Sequence, residues 1–365
     1  MSKKFAFLVH PRANVAEDMA RLWKPLGLVP DRAYDWALQR FPVPPVNVGA
    51  VYRKDEPGEP AGWIIMVPVG ARQLLTSRRR WSIAKIEEAI DKAERLGAEV
   101  VGLGALTASV TGGGKLLRHR PNVSITNGNA FTAKLTYEGI LRLVSATGTA
   151  TPHIAFVGAT GSVGSCVVDL AAADGFPGEV TLVARHQGRL DQLAERTRLA
   201  SPGTTVHVAT DMAAIRNADL VVLLTSAAEA ILGPEHLKLG AVVLDDTQPR
   251  NTALTLLTER PDVTVIDGGM AFVDGFDIEA DIGDIPSGYA YACLCETMLL
   301  ALDGHNGNFS VGHPTVAQAH HMQRLADRFA SLGFALGAFL SFGRPMAGPT
   351  AMRTVPAPVA LAQAS

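Results

Sequence analysis

Short, largely apolar runs recur from about Thr151 onward, at 154–157, 180–184, 206–209, 219–224, 241–245 and 263–266, separated by polar or helical segments. Runs of this kind are the mark of strands buried on both faces of a parallel sheet, and their alternation with helices predicts a doubly wound α/β architecture. Residues upstream of about 150 carry a pattern of their own. Phe5 to Val9 reads as a strand, Phe41 to Val48 as a proline-rich connection, and Trp63 to Val67 as a further strand. An amphipathic helix follows, with Ile83, Ile86, Ala89, Ile90 and Ala93 on one face and Gly97 as its stop. The strand Val100 to Leu103 then leads into the glycine-rich GALTASVTGGG, a loop at a strand end, where ligands bind in open α/β sheets. Beyond Pro286 the pattern turns helical, and the Ala- and Pro-rich residues 345–365 read as a disordered tail.

The first run of the second half, Ile154 to Val157, is followed by Gly158, Gly161 and Gly164 and then by a helical pattern. Glycines at this spacing allow a tight turn and bring the backbone close to a pyrophosphate, which sits on the free amides of the helix N-terminus. Gly158, Thr160, Gly161, Ser162, Val163 and Gly164 are therefore candidate cofactor-binding residues, joined by Thr225 at the end of the 219–224 run. The second strand ends not in an acidic residue but in Ala184 and Arg185, with Arg189 a helical turn beyond. A guanidinium suits a ribose 2′-phosphate, so NADPH is the expected cofactor. The fold class that results is α/β: a Rossmann-like doubly wound, mostly parallel sheet, an N-terminal α/β substrate domain and C-terminal helices. The expected segments are 1–150 for substrate, 151–285 for NADP, 286–344 for a helical segment, and 345–365 for the tail.

Composition narrows the class. The chain has 365 residues, 47% of them hydrophobic, with 33 basic against 35 acidic side chains, which is ample for a core and carries no nucleic-acid signature. The apolar run within MSKKFAFLVHPR is too short for a signal-peptide core. That from Leu332 to Phe342 is broken by Gly333 and Gly337 and too short to span a bilayer, so a cytoplasmic protein is expected. Cys166, Cys293 and Cys295 offer neither a disulfide framework nor metal-site spacing. His320 and His321 are adjacent on a helix and diverge by about 100°; no metal is expected. Tyr137, Tyr289 and Tyr291 lack a Lys four residues on, which disfavours short-chain dehydrogenase chemistry.

Cys293 and Cys295 fall in a helix expected to start near Ser287, and at i and i+2 they face different partners. A thiolate suits an enzyme that handles thioesters, because transthioesterification conserves acyl activation. About two turns into a helix, however, such a thiol would need a cationic neighbour or the bound cofactor, and free cysteines are otherwise small buried hydrophobes.

The segment YACLCETMLLALDGHNGNFSVG resembles the C-terminal signature of the long-chain acyl-(acyl carrier protein) reductases of the cyanobacterial alkane pathway. SRRR at 77–80, LGAL at 103–106, TNGNAFTA at 126–133, VGATGSVGS at 157–165, LVAR at 182–185 and IDGGM at 266–270 resemble the same family in the same order, over roughly residues 5 to 335. The resemblance implies NADPH-dependent reduction of a long-chain fatty acyl thioester to a fatty aldehyde, through an acyl-enzyme on Cys293. Cys295, the proline-rich stretch, TGGG at 111–114 and a longer tail depart from the pattern, and leave acyl-ACP and acyl-CoA both open as substrates.

Further residues take roles within that frame. Thr126, Gly128 and Asn129, with Thr132, form a polar run fit to orient the nicotinamide amide or the acyl carbonyl, or to cap a helix. Thr107, with Ser109, is placed to hold a thioester oxygen. His10, at the end of the first strand, matches the family and is the histidine best placed for substrate. Arg78, Arg79 and Arg80 are candidates for docking an acidic acyl carrier protein; an aldehyde-consuming enzyme is a further expected partner. Leu332 to Phe342 either line an acyl channel or belong to the core. Two alternatives stand: an NADP oxidoreductase of a small carbonyl with a structural Cys293, and a non-catalytic NADP sensor.

Overall fold

The computed structural model describes residues 2–11, 16, 24–41, 43–147, 151–176, 178–227, 230–281, 283 and 285–346. The expected tail lies, from 347 on, outside the described residues. All six strands expected after Thr151 form: β6 (His153–Val157), β7 (Gly178–Val183), β8 (Thr204–Ala209), β9 (Leu220–Leu223), β10 (Val242–Asp245) and β11 (Thr264–Asp267). They make one parallel sheet in the order β8–β7–β6–β9–β10–β11. The strand order reverses between β6 and β9, where Val157 and Leu223 pair at the carboxyl ends, and this switch point opens the crevice in which ligands of such sheets bind.

A second six-stranded sheet precedes it in sequence. Its order is β13–β2–β3–β1–β4–β5, from β1 (Phe5–Val9), β2 (Val46–Arg53), β3 (Gly62–Met66), β4 (Val100–Leu103), β5 (Ser124–Thr126) and β13 (Phe276–Ile278). β1, β3, β4 and β5 run parallel, and β2 runs against β3. Two expectations are corrected here. The proline-rich stretch is not all connection, since Val46 to Val48 open β2. The strand Phe276–Ile278, inside the segment read as nucleotide-binding, pairs instead with β2.

The helices are α1 (Asp31–Arg40), α2 (Ala71–Thr76), α3 (Arg79–Arg95), α4 (Leu106–Val110), α5 (Asn129–Thr147), α6 (Ser162–Ala173), α7 (Gln187–Ala200), α8 (Leu256–Glu259), α9 (Ala292–Leu302) and α10 (Val316–Arg328). α3 is the amphipathic helix expected from its periodicity, with Ile86, Ala89, Ile90 and Ala93 in the core and Gly97 just past its end. α5 joins the two halves. Ala133, Tyr137, Ile140 and Leu143 enter the core under the parallel sheet, whereas Ala130, Phe131 and Leu135 enter a core shared with α9 and the first sheet. A helix that packs on two sides is apolar on both, which is why α5 shows no clean polar face over much of its length. Truncating a fully buried Phe131 or Phe156 would cost about 3–5 kcal/mol.

The helix bearing Cys293 starts later than expected. Tyr289–Tyr291 is a strand, β14, in a small antiparallel sheet with β12 (Met270–Phe272) and β15 (Ala335–Leu336). Ala290 faces inward between two half-buried tyrosines, the two-residue period of a strand, and pairing with Ala271 overrides the helical trend. α9 therefore begins at Ala292. Residues Leu332, Phe334, Phe339 and Leu340 are buried in the cores, with Phe334 edge-on to Phe276 at 5.7 Å between ring centres.

Candidate active site

Cys293 is the second residue of α9, half-buried, with Gly128 just after β5 on one side and Gly269 just after β11 holding the residue before it. The N–H of Ala292 donates to the Gly269 carbonyl at 2.8 Å, which pins the start of the helix to the end of β11. Gly128 lies directly against the cysteine, where an added Cβ would fall inside van der Waals contact with Cys293 Cα and Cβ. Its φ of +75° is also a glycine conformation. The polar run at 126–129 and the cysteine, far apart in sequence, thus share one surface.

Glu296, one turn beyond Cys293, locks that surface. Fully buried, it accepts from the Thr126 hydroxyl, from Ser310 Oγ at 2.7 Å and from the Phe131 N–H at 2.8 Å. Burial pushes its carboxyl up, and these donors oppose the rise. Asn127 continues the network: its Oδ1 accepts from Ser310 at 2.6 Å and its Nδ2 donates to the Gly312 carbonyl at 3.0 Å. Thr132 donates to the Gly128 carbonyl at 2.9 Å. Thr126 therefore stands as a buried strut with its hydroxyl engaged. Neither Glu296 nor Ser310 was singled out from the sequence, although both lie inside the family-like segment.

Asn129 carries the connection to the glycine turn. Its Nδ2 donates to Ser162 Oγ at 2.7 Å, and Ser162 donates to the Gly312 carbonyl at 2.7 Å. Between β6 and α6 the turn passes through Gly158 at φ +88°, where a Cβ would come within 2.7 Å of the Leu224 carbonyl at the switch point. Gly161 is the N-cap and offers no side chain, so the first-turn amides of Ser162, Val163 and Gly164 have no intrahelical acceptor. A cradle without side chains above free amides fits a dinucleotide pyrophosphate. Thr160 belongs to the same turn. Thr225, just beyond β9, donates to Asn251 Oδ1, and Asn251 in turn rests on the buried Asp245. Arg185 and Arg189 are exposed at the end of β7 and the start of α7, and neither is in an ion pair among the described residues.

Other candidates lie along the first sheet. His10 Nε2 accepts from the Leu106 N–H at 3.3 Å, and its Nδ1 lies 2.8 Å from the Pro11 carbonyl, an arrangement that selects the Nδ1–H tautomer and supports the start of α4. Thr107 is fully buried and donates to the Gly104 carbonyl at 2.7 Å. Arg78, Arg79 and Arg80 are exposed at the N-terminus of α3, where Arg79 Nε donates to the Val110 carbonyl at 2.9 Å. Cations there oppose the helix dipole, so they do nothing for the helix itself.

The electrostatics of the cysteine are a contest. Placement in the first turn of α9, rather than two turns in, brings the dipole to bear, worth up to about 2 kcal/mol for an anion or roughly 1.5 pKa units. Burial pushes the thiol from an ordinary value of 9.0 up to about 12, and the carboxylates of Asp246 and Glu296 add to the rise. Desolvation wins, and the resting group is a thiol. Among the described residues no group of three or more His, Cys, Asp or Glu could hold a metal ion, and all three cysteines are free.

Fold and site together define an α/β chain of Rossmann type with a cysteine at the junction of two sheets. No protein-family model matches it. Aminotransferase PigE of Serratia sp. (strain ATCC 39006) is 25% identical over 293 residues, covering 76% of this chain and 33% of PigE. The chain thus spans about a third of that relative's length. Long-chain acyl-[acyl-carrier-protein] reductase of Synechococcus elongatus (strain ATCC 33912 / PCC 7942 / FACHB-805) is 28% identical over 279 residues, covering 72% of this chain and 79% of the reductase. Among solved structures, L-tryptophan dehydrogenase from Nostoc punctiforme is similar at 10% identity and a TM-score of 0.36, covering 91% of this chain and 84% of that one. The 5-ketofructose reductase of Gluconobacter sp. strain CHM43 is similar at 12% identity and a TM-score of 0.32, covering 90% and 100%.

Proposed function

We propose that the chain is an NADPH-dependent oxidoreductase that reduces a long-chain fatty acyl thioester, acyl-ACP or acyl-CoA, to the aldehyde through an acyl-enzyme on Cys293. The observation that carries this is the position of Cys293 in the first turn of α9, against Gly128 and bridged through Asn129 to the glycine turn. Similarity to the Synechococcus reductase supports the same chemistry. Sγ of Cys293 attacks the acyl carbonyl, the bond to the carrier sulfur breaks, and the carrier leaves as its thiol. A reduced nicotinamide dinucleotide, held by its pyrophosphate at the 158–164 turn, would supply the hydride that turns the enzyme thioester into an aldehyde. Cys293 then departs as a thiolate and takes a proton. Gly128 keeps the approach to the sulfur free of side chain, and the first-turn amides of α9 favour the negative charge.

The remaining assignments belong to the same proposal. Gly158, Thr160, Gly161, Ser162, Val163, Gly164 and Thr225 hold the dinucleotide, with Arg185 and Arg189 on a 2′-phosphate. His10, Gly128 and Asn129 shape the substrate side; Thr107 and Thr126, fully buried with their hydroxyls committed to the Gly104 carbonyl and to Glu296, support it from within rather than holding a thioester oxygen. Arg78, Arg79 and Arg80 face an acidic carrier, and an enzyme that consumes aldehydes takes the product. The division at 1–150, 151–285 and 286–344 separates substrate, cofactor and nucleophile along the chain. No described helix is long and apolar enough to cross a membrane, and we assign the activity to the cytoplasm.

One observation favours a second reading: a thiol pushed up to about 12 is inert unless a base relieves it. In that case the chain is an NADP oxidoreductase of a small carbonyl in which Cys293 is structural. Intact-protein mass spectrometry on wild type and Cys293→Ala, mixed with a long-chain acyl thioester, separates the two. An adduct on wild type alone, discharged as aldehyde on adding NADPH, supports the first. Turnover that survives the substitution supports the second.

A further inference from the structure

Asp246, the residue just past β10, packs against the backbone on which the start of α9 rests. Gly268 and Gly269 accommodate it: a Cβ on Gly268 would come within 2.8 Å of Asp246 Cβ, and one on Gly269 would collide with Asp246 Oδ1. The carbonyl of Gly269 is the same group that holds the Ala292 N–H at the start of α9, one residue before Cys293. On its other side Asp246 meets α5, where Thr136 Oγ1 donates to its Oδ2 at 2.5 Å and Thr132 closes the space beside Gly269. Asp246 as a residue is half-buried, and among the described residues its Oδ1 accepts no hydrogen bond.

We propose that Asp246 is the base that takes the proton from Cys293 during acyl transfer, with Thr136 fixing the orientation of the carboxylate so that Oδ1 serves the thiol. This deepens the acyl-enzyme reading and rests on it. Protons balance: the carboxylate takes the thiol proton as Sγ bonds to the acyl carbon, then releases it to the departing carrier thiolate, and ends ionised. When the aldehyde later leaves, the Cys293 thiolate regains one proton from solvent by the same route. The charged group that faces Asp246 is Asp245, itself held by Thr247 and Thr252, and from α9 Glu296 faces Cys293. Among the described residues no cation enters this set. Burial and Asp245 push Asp246 up to about 8, the range in which a base exchanges protons readily near neutral pH.

The test uses the full chain without dinucleotide and two probes. Palmitoyl coenzyme A reads acyl transfer through release of free thiol, and iodoacetamide reads the thiolate of Cys293 by peptide mass spectrometry, Cys166 and Cys295 being buried. For Asp246→Asn the expected result is a fall in acyl transfer of about 100-fold or more, with alkylation at pH 9 unchanged or faster because a negative neighbour is gone. The wild-type inflection near pH 8 should vanish. Thr136→Val, which removes a donor to the carboxylate, should move that inflection to higher pH while keeping the plateau. Equal losses in both probes, or an unaltered pH profile of acyl transfer in Asp246→Asn, overturn the proposal for Asp246 while leaving the acyl-enzyme intact. A wild type that takes up no acyl group overturns the acyl-enzyme itself, and the proposal with it.

Discussion

The two sheets differ in how they are assembled. The parallel sheet of β6 to β11 is drawn from one unbroken stretch of sequence, every strand pairing with its predecessor except β9, which crosses back to pair with β6 as a doubly wound fold requires. The other takes five strands from the N-terminal region and completes itself with β13, from beyond the parallel sheet, while α9 packs on β4 and β1 from further along still. The proposed nucleophile lies on the side with the long-range assembly: Cys293 and Glu296 arrive on α9 and meet Gly128 and Thr126 at the end of β5. The glycine turn proposed for the dinucleotide, by contrast, is local to β6 and α6. A cofactor site can be built from a single strand–turn–helix, whereas a nucleophile between two sheets needs both in place.

Several substitutions sharpen that contrast. The largest effect is expected for Cys293→Ala, which should abolish the acyl adduct while leaving NADPH affinity unchanged, measured by mass spectrometry and by quenching of nicotinamide fluorescence. Gly128→Ala combines a positive-φ strain with a clash at Cys293; displacing the sulfur should lower acyl transfer about 100-fold, again with little change in dinucleotide affinity. Equal losses in both readouts would break the separation of the two regions. Arg185→Ala should do the reverse, weakening NADPH by about 10- to 100-fold, the worth of a charge-assisted hydrogen bond, while NADH binding and acyl transfer hold. Replacing Arg78, Arg79 and Arg80 together by Ala should raise the KM for a carrier-borne substrate about tenfold at low salt, and by less at high salt. A KM insensitive to salt would remove the docking role.

The smallest effect concerns stability. Asp246 is raised by burial from an ordinary 3.8 to about 8, so the folded state holds its proton more tightly than the unfolded chain. The favourable contribution of the protonated form is complete below about pH 4 and is lost as pH rises through 8. The Tm of Asp246→Asn relative to wild type should therefore improve by a few degrees between pH 5 and pH 8, as measured by calorimetry. A constant difference would show that Asp246 does not titrate in that window.

The sequence by itself determined the parallel sheet, the glycine turn and the arginine at the end of β7, because strand burial, helix periodicity and glycine spacing are short-range properties of the chain. It also marked Cys293, Gly128 and Asn129. Only the tertiary structure decided where α9 begins, since the pairing of Ala290 with Ala271 turns Tyr289–Tyr291 into a strand and moves Cys293 from the second turn of a helix to the first. It likewise decided that Glu296 ties α9 to Thr126 and the start of α5, and that Asp246 packs against Gly268 and Gly269, whose backbone holds the first residue of α9. A carboxylate after a strand or within a helix resembles any solvated charge until the opposing backbone is present. What separates these two from the rest is burial and hydrogen bonding supplied by segments more than a hundred residues away.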